Sequence, residues 1–544
     1  MTLIHSAGCS DSASADLVLI PERIFTASSS EPWVDALAIR DGIIICAGTE
    51  EEVSDLIDDH TEVVRLPRML AVPGFNDAHV HMFEGGEGLS SVQLRDARDE
   101  NDFRDRIAAY CGDLPEGTWV LYGNWDHESW PSRAHPERRL IDPVTPSHPV
   151  FITRLDGHMS LANSLALQLA GVTDETPDPE GGEIERDPVT GDVTGILIDA
   201  AQDLIHAVIP EADEIRIRRA LEAALTNARE QGVTSIQDNT TPRIWRIYQE
   251  LFRDGALSSR VNAWYPISYR NTLASEGITG PSGDDWIRRG TMKIFVDGAM
   301  GSGSAWFHDP YSDDPSTSGL AMESEEELHR KIVEADALGF DIACHAIGDR
   351  ANSVALDAFE EALEVNTGRD TPRRHRIEHA QIVREEDMER FRSLGITASI
   401  QPSHIIDDMR WAEERIGHDR CAIGYRIGSF LHNSIPVAFG TDWFVEPLDP
   451  RLGLYAAVTR EFTGGGPEGG WFPAERITLE DAITAYTLGS ARAEGMEDRK
   501  GMLVEGYLAD ITVFEEDLFS LEPRQWLETK VALTIVGGRI VFSR

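Results

Sequence analysis

The sequence predicts an α/β protein built on a (β/α)8 TIM barrel, and three observations lead to that fold class. Apolar segments of strand length recur from about residue 71 to residue 490, and helical segments of suitable length separate many of them. Histidine, lysine and aspartate residues stand at the ends of several of these segments, which is where barrels of this kind carry their functional groups. Short alternating strands at both ends of the chain predict a further small β-sandwich domain.

The two ends of the chain are expected to fold together. Neither end is apolar enough to bury a core alone, so we predict one β-sandwich domain from residues 16–70 and 496–544. Its predicted strands cover residues 16–20, 36–39, 42–48, 508–514 and 533–542. Residues 1–15 are polar and are predicted to form a disordered leader.

The barrel is predicted over residues 71–495. An apolar run at residues 69–72 opens its first strand, and the other seven strands are predicted at 233–237, 261–267, 292–296, 341–345, 375–379, 397–401 and 437–441. Helices at 325–338, 351–364 and 385–394 lie between them. Residues 84–230 are too long for a barrel loop. We interpret them as an insertion after the first barrel strand that covers the barrel mouth, with helices such as 100–111 and 161–169 between loops rich in Trp, Pro and Gly.

The charge balance is strongly acidic. Asp and Glu number 94 against 49 Lys and Arg, a formal net charge of −45, and only four of the cations are lysines. Such a charge disfavours nucleic acid and anionic membranes as partners. Acidic, lysine-poor chains are typical of proteins that work in concentrated salt, where self-repulsion is screened. A halophilic host is therefore expected, and an acidic mesophilic protein with high-GC codon usage is the alternative.

The expected location is the cytoplasm. No run of 18 or more apolar residues predicts a membrane span, and the N-terminus lacks the basic and apolar regions of a signal peptide. The five cysteines are widely spaced and form no C-x-x-C pair, which favours a reducing compartment and argues against a thiolate metal site.

The first barrel strand carries the most informative motif, the run PGFNDAHVHM at residues 73–82. Residues two apart on a strand point to the same side, separated by about 7 Å of rise. His79 and His81 can therefore reach one ion, and imidazole suits zinc and related metals. Two histidines in this pattern, taken alone, are as often ordinary surface or core residues as metal ligands. Residues at the other strand ends therefore decide between the two interpretations.

Four further strand ends carry suitable residues. Strand four carries Lys293, strand five ends at His345, strand six at His379 and strand eight at Asp442. A lysine at a strand end is usually a snorkelling surface residue. Lys293, however, stands between Met292 and Ile294 in a run that looks buried, where an unpaired ammonium would be costly. Six such residues in strand order predict one shared site.

This order of residues resembles the metal-binding signature of the amidohydrolase superfamily, PGF-x-D-x-H-x-H, with Asn76 at the first variable position. The resemblance implies two divalent metal ions, with zinc the expected metal. His79, His81 and Asp442 would bind the more buried ion, and His345 and His379 the second. Lys293 would bridge both ions as an N-carboxylated lysine, because a bare ammonium has no acceptor atom. The resemblance also implies a homodimer.

The implied chemistry is hydrolysis of a C–N bond by a hydroxide that bridges the metals. Asp442 would be the catalytic residue, taking a proton from the nucleophile and passing it to the leaving nitrogen. Deaminases of nucleobases carry a glutamate three residues after the strand-five histidine, whereas this chain has Gly348 there. Residues 123–130, 154–158 and 297–302 resemble the amidohydrolase-3 subgroup, which includes N-substituted formamide deformylases. A small-molecule amide or N-substituted formamide is therefore the expected substrate.

Six residues are predicted to bind the substrate: Trp125, Arg154, Asp156, His158, Gln401 and His404. Aromatic walls with a few polar groups are typical of small-molecule sites. The alternative for Trp125 and Trp130, with equal weight, is that they form the core of the insertion. Asp238 and Asp297 are expected to be carboxylates that fix loops. Two functional alternatives remain, a lactonase or esterase on the same metals and a non-catalytic scaffold with this fold. Such scaffolds lose metal ligands, and all six are present here.

Overall fold

Eight parallel strands form the centre of the protein in a computed structural model that describes residues 14–369 and 371–544. In chain order the barrel strands are Phe75–Val80, Val233–Asn239, Arg260–Pro266, Ile287–Phe295, Asp341–Ala346, Arg376–His379, Thr397–Ile400 and Val437–Phe439. Each strand pairs in parallel with the next. A parallel bridge joins Val80, at the end of the first strand, to Trp443, which follows the eighth strand. The predicted (β/α)8 barrel is confirmed.

Helices separate the barrel strands. The longer ones are Glu214–Glu230, Pro242–Arg253, Glu325–Ala337, Asp349–Val365, Glu385–Leu394 and Pro450–Thr459. Shorter ones are Arg270–Ser275, His404–Asp408, Ala412–Ile416, His418–Cys421, Ile427–His432, Leu479–Thr484 and Ser490–Ala493, with a π-helical turn at Ala485–Gly489. Their apolar faces pack on the strands in one large core that surrounds the barrel.

The strands of the two chain ends lie in one sheet. Its members are Leu17–Phe25, Trp33–Val34, Ala36–Arg40, Ile43–Gly48, Glu62–Pro73, Ile511–Phe514, Val531–Val536 and Arg539–Ser543. Alternate residues of the first strand face opposite sides, so Leu17 and Leu19 join one buried cluster while Val18 and Ile20 join another. Ile511–Phe514 pairs with the end of Glu62–Pro73, which leads directly into the first barrel strand.

The predicted leader lies almost wholly outside the described residues. Of residues 1–15, only Ser14 and Ala15 are described. Ala15 is buried and its backbone N–H donates to the carbonyl of Leu56, so the prediction of disorder is wrong at this residue.

The insertion contains a five-stranded sheet that the sequence analysis did not predict. Its strands are Val120–Trp125, Val150–Arg154, Met159–Ala162, Gly182–Arg186 and Val193–Asp199. Helices Met82–Gly88, Glu100–Gly112, Arg138–Ile141, Ser164–Ala170 and Asp203–His206 accompany them. The predicted helix at 161–169 begins later, because Asn163 accepts a hydrogen bond from the N–H of Ala166 and caps the helix there.

No helix of the described residues combines the length and apolar character needed to cross a membrane. Cys111, Cys344 and Cys421 are buried free thiols, whereas Cys46 is disulfide-bonded, so the expectation of reduced cysteines is wrong at that residue.

A buried ion pair joins the barrel to the sheet of the chain ends. Arg260, at the start of the third barrel strand, donates from Nε and Nη2 to the two carboxylate oxygens of Asp510 at 2.7 and 2.9 Å. Asp510 also accepts the N–H of Gly537 at 2.8 Å. Bidentate pairs of this kind impose a fixed geometry, so they hold the two units in one orientation.

Removing one partner of this pair should be strongly destabilising. Asp510→Ala leaves the buried Arg260 without its carboxylate, and we expect a loss of about 3–5 kcal/mol in the free energy of unfolding. Glu414→Ala is the matched control, since Glu414 pairs with Arg133 at 2.9 Å on the surface, and its loss should be within about 1 kcal/mol. Urea unfolding followed by circular dichroism measures both. Equal losses in the two variants would contradict the structural role of Asp510.

Candidate metal centre

The two histidines of the first barrel strand point into the mouth of the barrel. Nε2 of His79 lies 2.9 Å from Nζ of Lys293 and 3.6 Å from Oδ1 of Asp442. Nε2 of His81 lies 3.3 Å from the same carboxylate oxygen. Four residues from three strand ends, which are far apart in sequence, therefore meet at the barrel mouth.

The remaining predicted ligands lie beside them. The rings of His345 and His379 have centroids 4.4 Å apart, and the ring of His379 is 5.3 Å from that of His79. Nε2 of His345 lies 3.2 Å from the carbonyl oxygen of Gly298, an arrangement that leaves its Nδ1 lone pair available. Burial lowers the pKa of His79, His345 and His379 well below its usual range. Neutral imidazole is the form that binds metal.

The donor atoms of these residues fit divalent cations. One nitrogen of His79, one of His81 and one carboxylate oxygen of Asp442 lie within 4.8 Å of one another. The same holds for His379, His404 and Asp442. Nδ1 of His379 and Nε2 of His404 are buried without a hydrogen-bond partner among the described residues, which is costly unless another ligand satisfies them.

Lys293 is buried beside this cluster. It is 5% exposed, and no carboxylate of the described residues lies within ion-pair distance of its Nζ. Burial lowers its pKa to about 8, against the opposing effect of the charges on Glu378 and Asp442. A larger share of the neutral amine is therefore present near neutral pH than for an exposed lysine.

Asp442 is held in place by the first strand. Its N–H donates to the carbonyl of His79 at 2.8 Å, and its φ of 58° lies in the left-handed region. Burial would raise the pKa of Asp442, but the rings of His79 and His81 outweigh that effect and hold the pKa well below its usual range. The carboxylate is thus ionised at neutral pH and can accept a proton.

Glu378 is a functional residue that sequence analysis missed. Its Oε2 lies 2.8 Å from Nδ1 of His79, and it accepts hydrogen bonds from Arg376 and, at 2.7 Å, from Ser399. All four side chains are buried. A carboxylate against the outer nitrogen of a ligand histidine fixes the orientation of the ring. The sequence did offer one signal, because Arg376 and Glu378 are two charged residues placed two positions apart in a buried strand.

Four of the six predicted substrate residues line the cavities above the cluster. Two cavities share Asp156, His158, His345, His379, Asp442 and Val445 in their walls. The inner cavity also includes His79, His81 and Lys293, whereas the outer cavity includes Arg154 and His404. These two cavities keep the names inner and outer below.

His158 is oriented by a carboxylate that the sequence analysis did not single out. Its Nδ1 lies 2.5 Å from Oδ1 of Asp199, which ends the last strand of the insertion with a φ of 48°. Burial opposes protonation of His158, but Asp199 outweighs it and raises the pKa of the ring. The remaining nitrogen, Nε2, is left for a ligand in the cavities.

Two predicted substrate residues lie elsewhere. Trp125 is fully buried, donates from Nε1 to the carbonyl of Ile152 and packs on Phe103 inside the insertion, so the core alternative is correct for it. Gln401 lines neither cavity, and its Nε2 faces the carbonyl of Ser399 at 3.4 Å. The sequence could not show which way the side chain of Trp125 points, because an aromatic residue in a loop-rich segment gives no signal of its orientation.

The two carboxylates predicted to fix loops do so. Asp238 accepts the N–H of Met82 at 2.8 Å and the hydroxyl of Tyr248 at 2.8 Å. Asp297 accepts backbone N–H groups of Trp306, Ile347 and Gly348 at 2.8–3.0 Å. Neither one lines a cavity of the site.

Comparisons with known proteins agree with this geometry. The sequence model of the amidohydrolase family Amidohydro_3 matches residues 66–542. The Arabidopsis thaliana protein LONG AFTER FAR-RED 3 is 36% identical over 541 residues, covering 97% of this chain and 92% of that protein. The N-substituted formamide deformylase of Arthrobacter pascens is 28% identical over 549 residues, covering 97% and 98%. The crystal structure of an uncharacterized metal-dependent hydrolase from Pyrococcus horikoshii superposes with a TM-score of 0.76 at 30% identity, covering 93% and 99%.

Glu378 should control how tightly the centre holds a metal. Glu378→Gln removes the charge that faces Nδ1 of His79, and we expect metal affinity to fall roughly 10- to 100-fold. Glu361→Gln is the matched control, because Glu361 lies 2.7 Å from Nδ1 of the surface residue His329. Competition with a chromogenic zinc chelator measures affinity, and thermal unfolding shows whether each variant is folded. Unchanged zinc retention in folded Glu378→Gln would contradict the assignment.

Proposed function

Because the chain belongs to the amidohydrolase family, we propose that it is a metal-dependent enzyme that hydrolyses a C–N bond in a small amide, including N-substituted formamides. The observation that carries this proposal is the convergence of His79, His81, Lys293 and Asp442 within hydrogen-bond or ion-pair distance at one end of the barrel. Barrels of this class bind substrates at that end. The match to a formamide deformylase along nearly the whole chain supports the substrate class.

The proposed metal ligands are those of the sequence analysis. His79, His81 and Asp442 would hold one divalent ion, and His345 and His379 a second, with zinc favoured by the imidazole-rich donor set. When bound, the two ions would lower the pKa of water towards neutrality and polarise the carbonyl of the substrate. A carbamate formed from Lys293 and CO2 would add two oxygen donors between them. The buried, partly neutral amine of Lys293 supports this modification, because the neutral form reacts with CO2.

The residues of the chain supply the proton transfers and the enclosure. Asp442 is ionised and adjacent to His79 and His81, so it is placed to take a proton from the attacking water and deliver it to the leaving nitrogen. His158 lines both cavities, with Asp199 fixing its ring, and can donate a hydrogen bond to the substrate. Residues 154–158 of the insertion, which contribute to both cavities, would exclude bulk water.

Replacing Asp442 tests the proposed chemistry. Asp442→Asn keeps the shape of the side chain but cannot accept the proton, so we expect kcat for amide hydrolysis to fall roughly 100-fold or more. Asp419→Asn, a change in a surface helix remote from both cavities, should leave kcat unchanged. A panel of N-substituted formamides, other amides and lactones is assayed with the zinc-loaded enzyme. Activity confined to lactones would contradict amide hydrolysis.

The acidity of the chain supports a further part of the proposal, that the enzyme works in a halophile. The chain carries a net charge of −45, and in dilute buffer its negatively charged side chains repel one another strongly. Raising KCl from about 0.1 M to about 1 M shortens the screening length from about 10 Å to about 3 Å. We therefore expect the midpoint of thermal unfolding and kcat/KM both to rise with KCl. Full activity in dilute buffer that is lost in concentrated KCl would contradict a halophilic origin.

A further inference from the structure

The lining of the outer cavity includes apolar side chains besides the proposed metal ligands and the polar groups. Leu155, Met300, Ile347 and Trp411 line it, and none of them lines the inner cavity. Each of these side chains is at least nine-tenths buried. A wall of this kind favours a compact apolar group, because it removes such a group from water.

The single guanidinium in the wall of the outer cavity has its charge already matched. Arg154 is 1% exposed, and its Nη1 donates to Asp156 at 2.6 Å while its Nη2 donates to Asp126 at 3.3 Å. Its Nε faces Nδ1 of His127 at 3.4 Å. Arg154 therefore still has N–H groups without a partner, but its single positive charge already faces the two carboxylates of Asp126 and Asp156. The positive charge of a protonated His158 ring is likewise offset by the carboxylate of Asp199.

Carboxyl groups outnumber cations around the same cavity. Asp408 in the wall accepts from the amide of Gln381 at 2.7 Å and from the hydroxyl of Tyr425, both of them neutral donors. Burial raises the pKa of Asp408 to about 7. No guanidinium or ammonium of the described residues lies within ion-pair distance of its carboxyl group.

Glu446 adds to this excess of carboxyl groups. It shares the guanidinium of Arg95 with Asp407, each at 2.7 Å from Nη2, so that one cation serves two acids. Burial raises the pKa of Glu446 to about 8. Arg95 and Arg154 thus form ion pairs with four carboxyl groups, those of Asp126, Asp156, Asp407 and Glu446. Their two positive charges are therefore already exceeded before Asp408 or an anionic ligand is counted.

We propose that the outer cavity selects substrates by charge: it accepts the group beyond the scissile amide when that group is compact, apolar and either uncharged or cationic, and it rejects a carboxylate there. This proposal rests on the proposed amide hydrolysis and names its substrate class. A carboxylate buried in this cavity would lose its hydration, and the carboxyl groups around it already outnumber the guanidinium groups of Arg95 and Arg154. The proposed metal ligands His79, His81 and Lys293 line the inner cavity and not the outer one, so the carbonyl group of the substrate would bind at the inner cavity.

The test uses three amides with the same acyl group. Their amine parts are matched in length and end in a methyl, an ammonium or a carboxylate group. With the zinc-loaded enzyme, kcat/KM for the carboxylate compound should be lower than for the methyl compound by roughly 100-fold or more. The ammonium compound should equal or exceed the methyl compound. A carboxylate compound that is cleaved as well as the methyl compound overturns the proposal.

Binding of the three free amine products is measured separately by titration calorimetry with the same zinc-loaded enzyme. This ranking does not depend on turnover, so a failure of amide hydrolysis is distinguishable from a failure of charge selection. The carboxylate-bearing amine should bind roughly 100-fold more weakly than its methyl counterpart. Equal affinities, or the absence of binding by all three at millimolar concentration, overturn the proposal.

Glu446→Gln tests whether charge, rather than shape, is responsible. The substitution removes one carboxyl group from the wall and leaves Arg95 paired with Asp407. We expect the ratio of carboxylate to methyl affinity to rise roughly 10-fold. Glu413→Gln, whose carboxylate binds Trp471 at 2.9 Å away from the cavity, should leave the ratio unchanged. A ratio that stays the same in folded Glu446→Gln overturns the assignment of selectivity to these carboxyl groups.

Discussion

The proposed metal ligands can meet only where the first and eighth barrel strands stay aligned, and Asp77 makes that connection. Its two oxygens accept the N–H and the hydroxyl of Thr441 at 2.9 and 2.6 Å. The neighbouring backbone adds the bond from Asp442 N–H to the carbonyl of His79. Gly440 permits this close approach of the two strands, since a Cβ at that position would lie 2.6 Å from the backbone nitrogen of His79. Barrel closure and ligand placement are therefore one constraint, which is why the aspartate and histidines of the motif occur together.

Beneath this connection the barrel carries a buried charge network that an apolar core would not need. Arg376 binds Glu378, donates to Gln237 at 2.6 Å and reaches the carbonyl of Ala78 at 3.0 Å. Replacing such a network by packed apolar groups is often neutral or stabilising, so it is weak evidence for stability alone. Its position against Nδ1 of His79 gives it another purpose, because a fixed ring presents Nε2 to the ion without reorganisation.

The barrel was predictable from sequence, and the six proposed metal ligands could be assigned to strand ends, because periodicity and strand order are local signals. The apolar runs set the strands, and the ligands follow as strand-end residues. Contacts between distant segments carry no such signal. Glu378 meets His79 through barrel curvature, and Asp199 meets His158 only after the insertion forms its own sheet. Trp125 shows the limit clearly, because its composition fits a pocket wall as well as the core it occupies.

Backbone strain marks the same strand ends. His379 and Asp442 have φ values of 72° and 58°, and Ala380 follows with 41°. Conformations of this kind cost of order 1–3 kcal/mol each for residues other than glycine, so they persist only where the surroundings impose them. His379 is the last residue of its strand, and Asp442 lies three residues after the eighth strand ends at Phe439. A relaxed backbone would continue each strand and point the side chain along the alternating pattern, away from the shared centre. The barrel thus gives up local stability at these two residues, and the convergence of ligands on one point is what that cost produces.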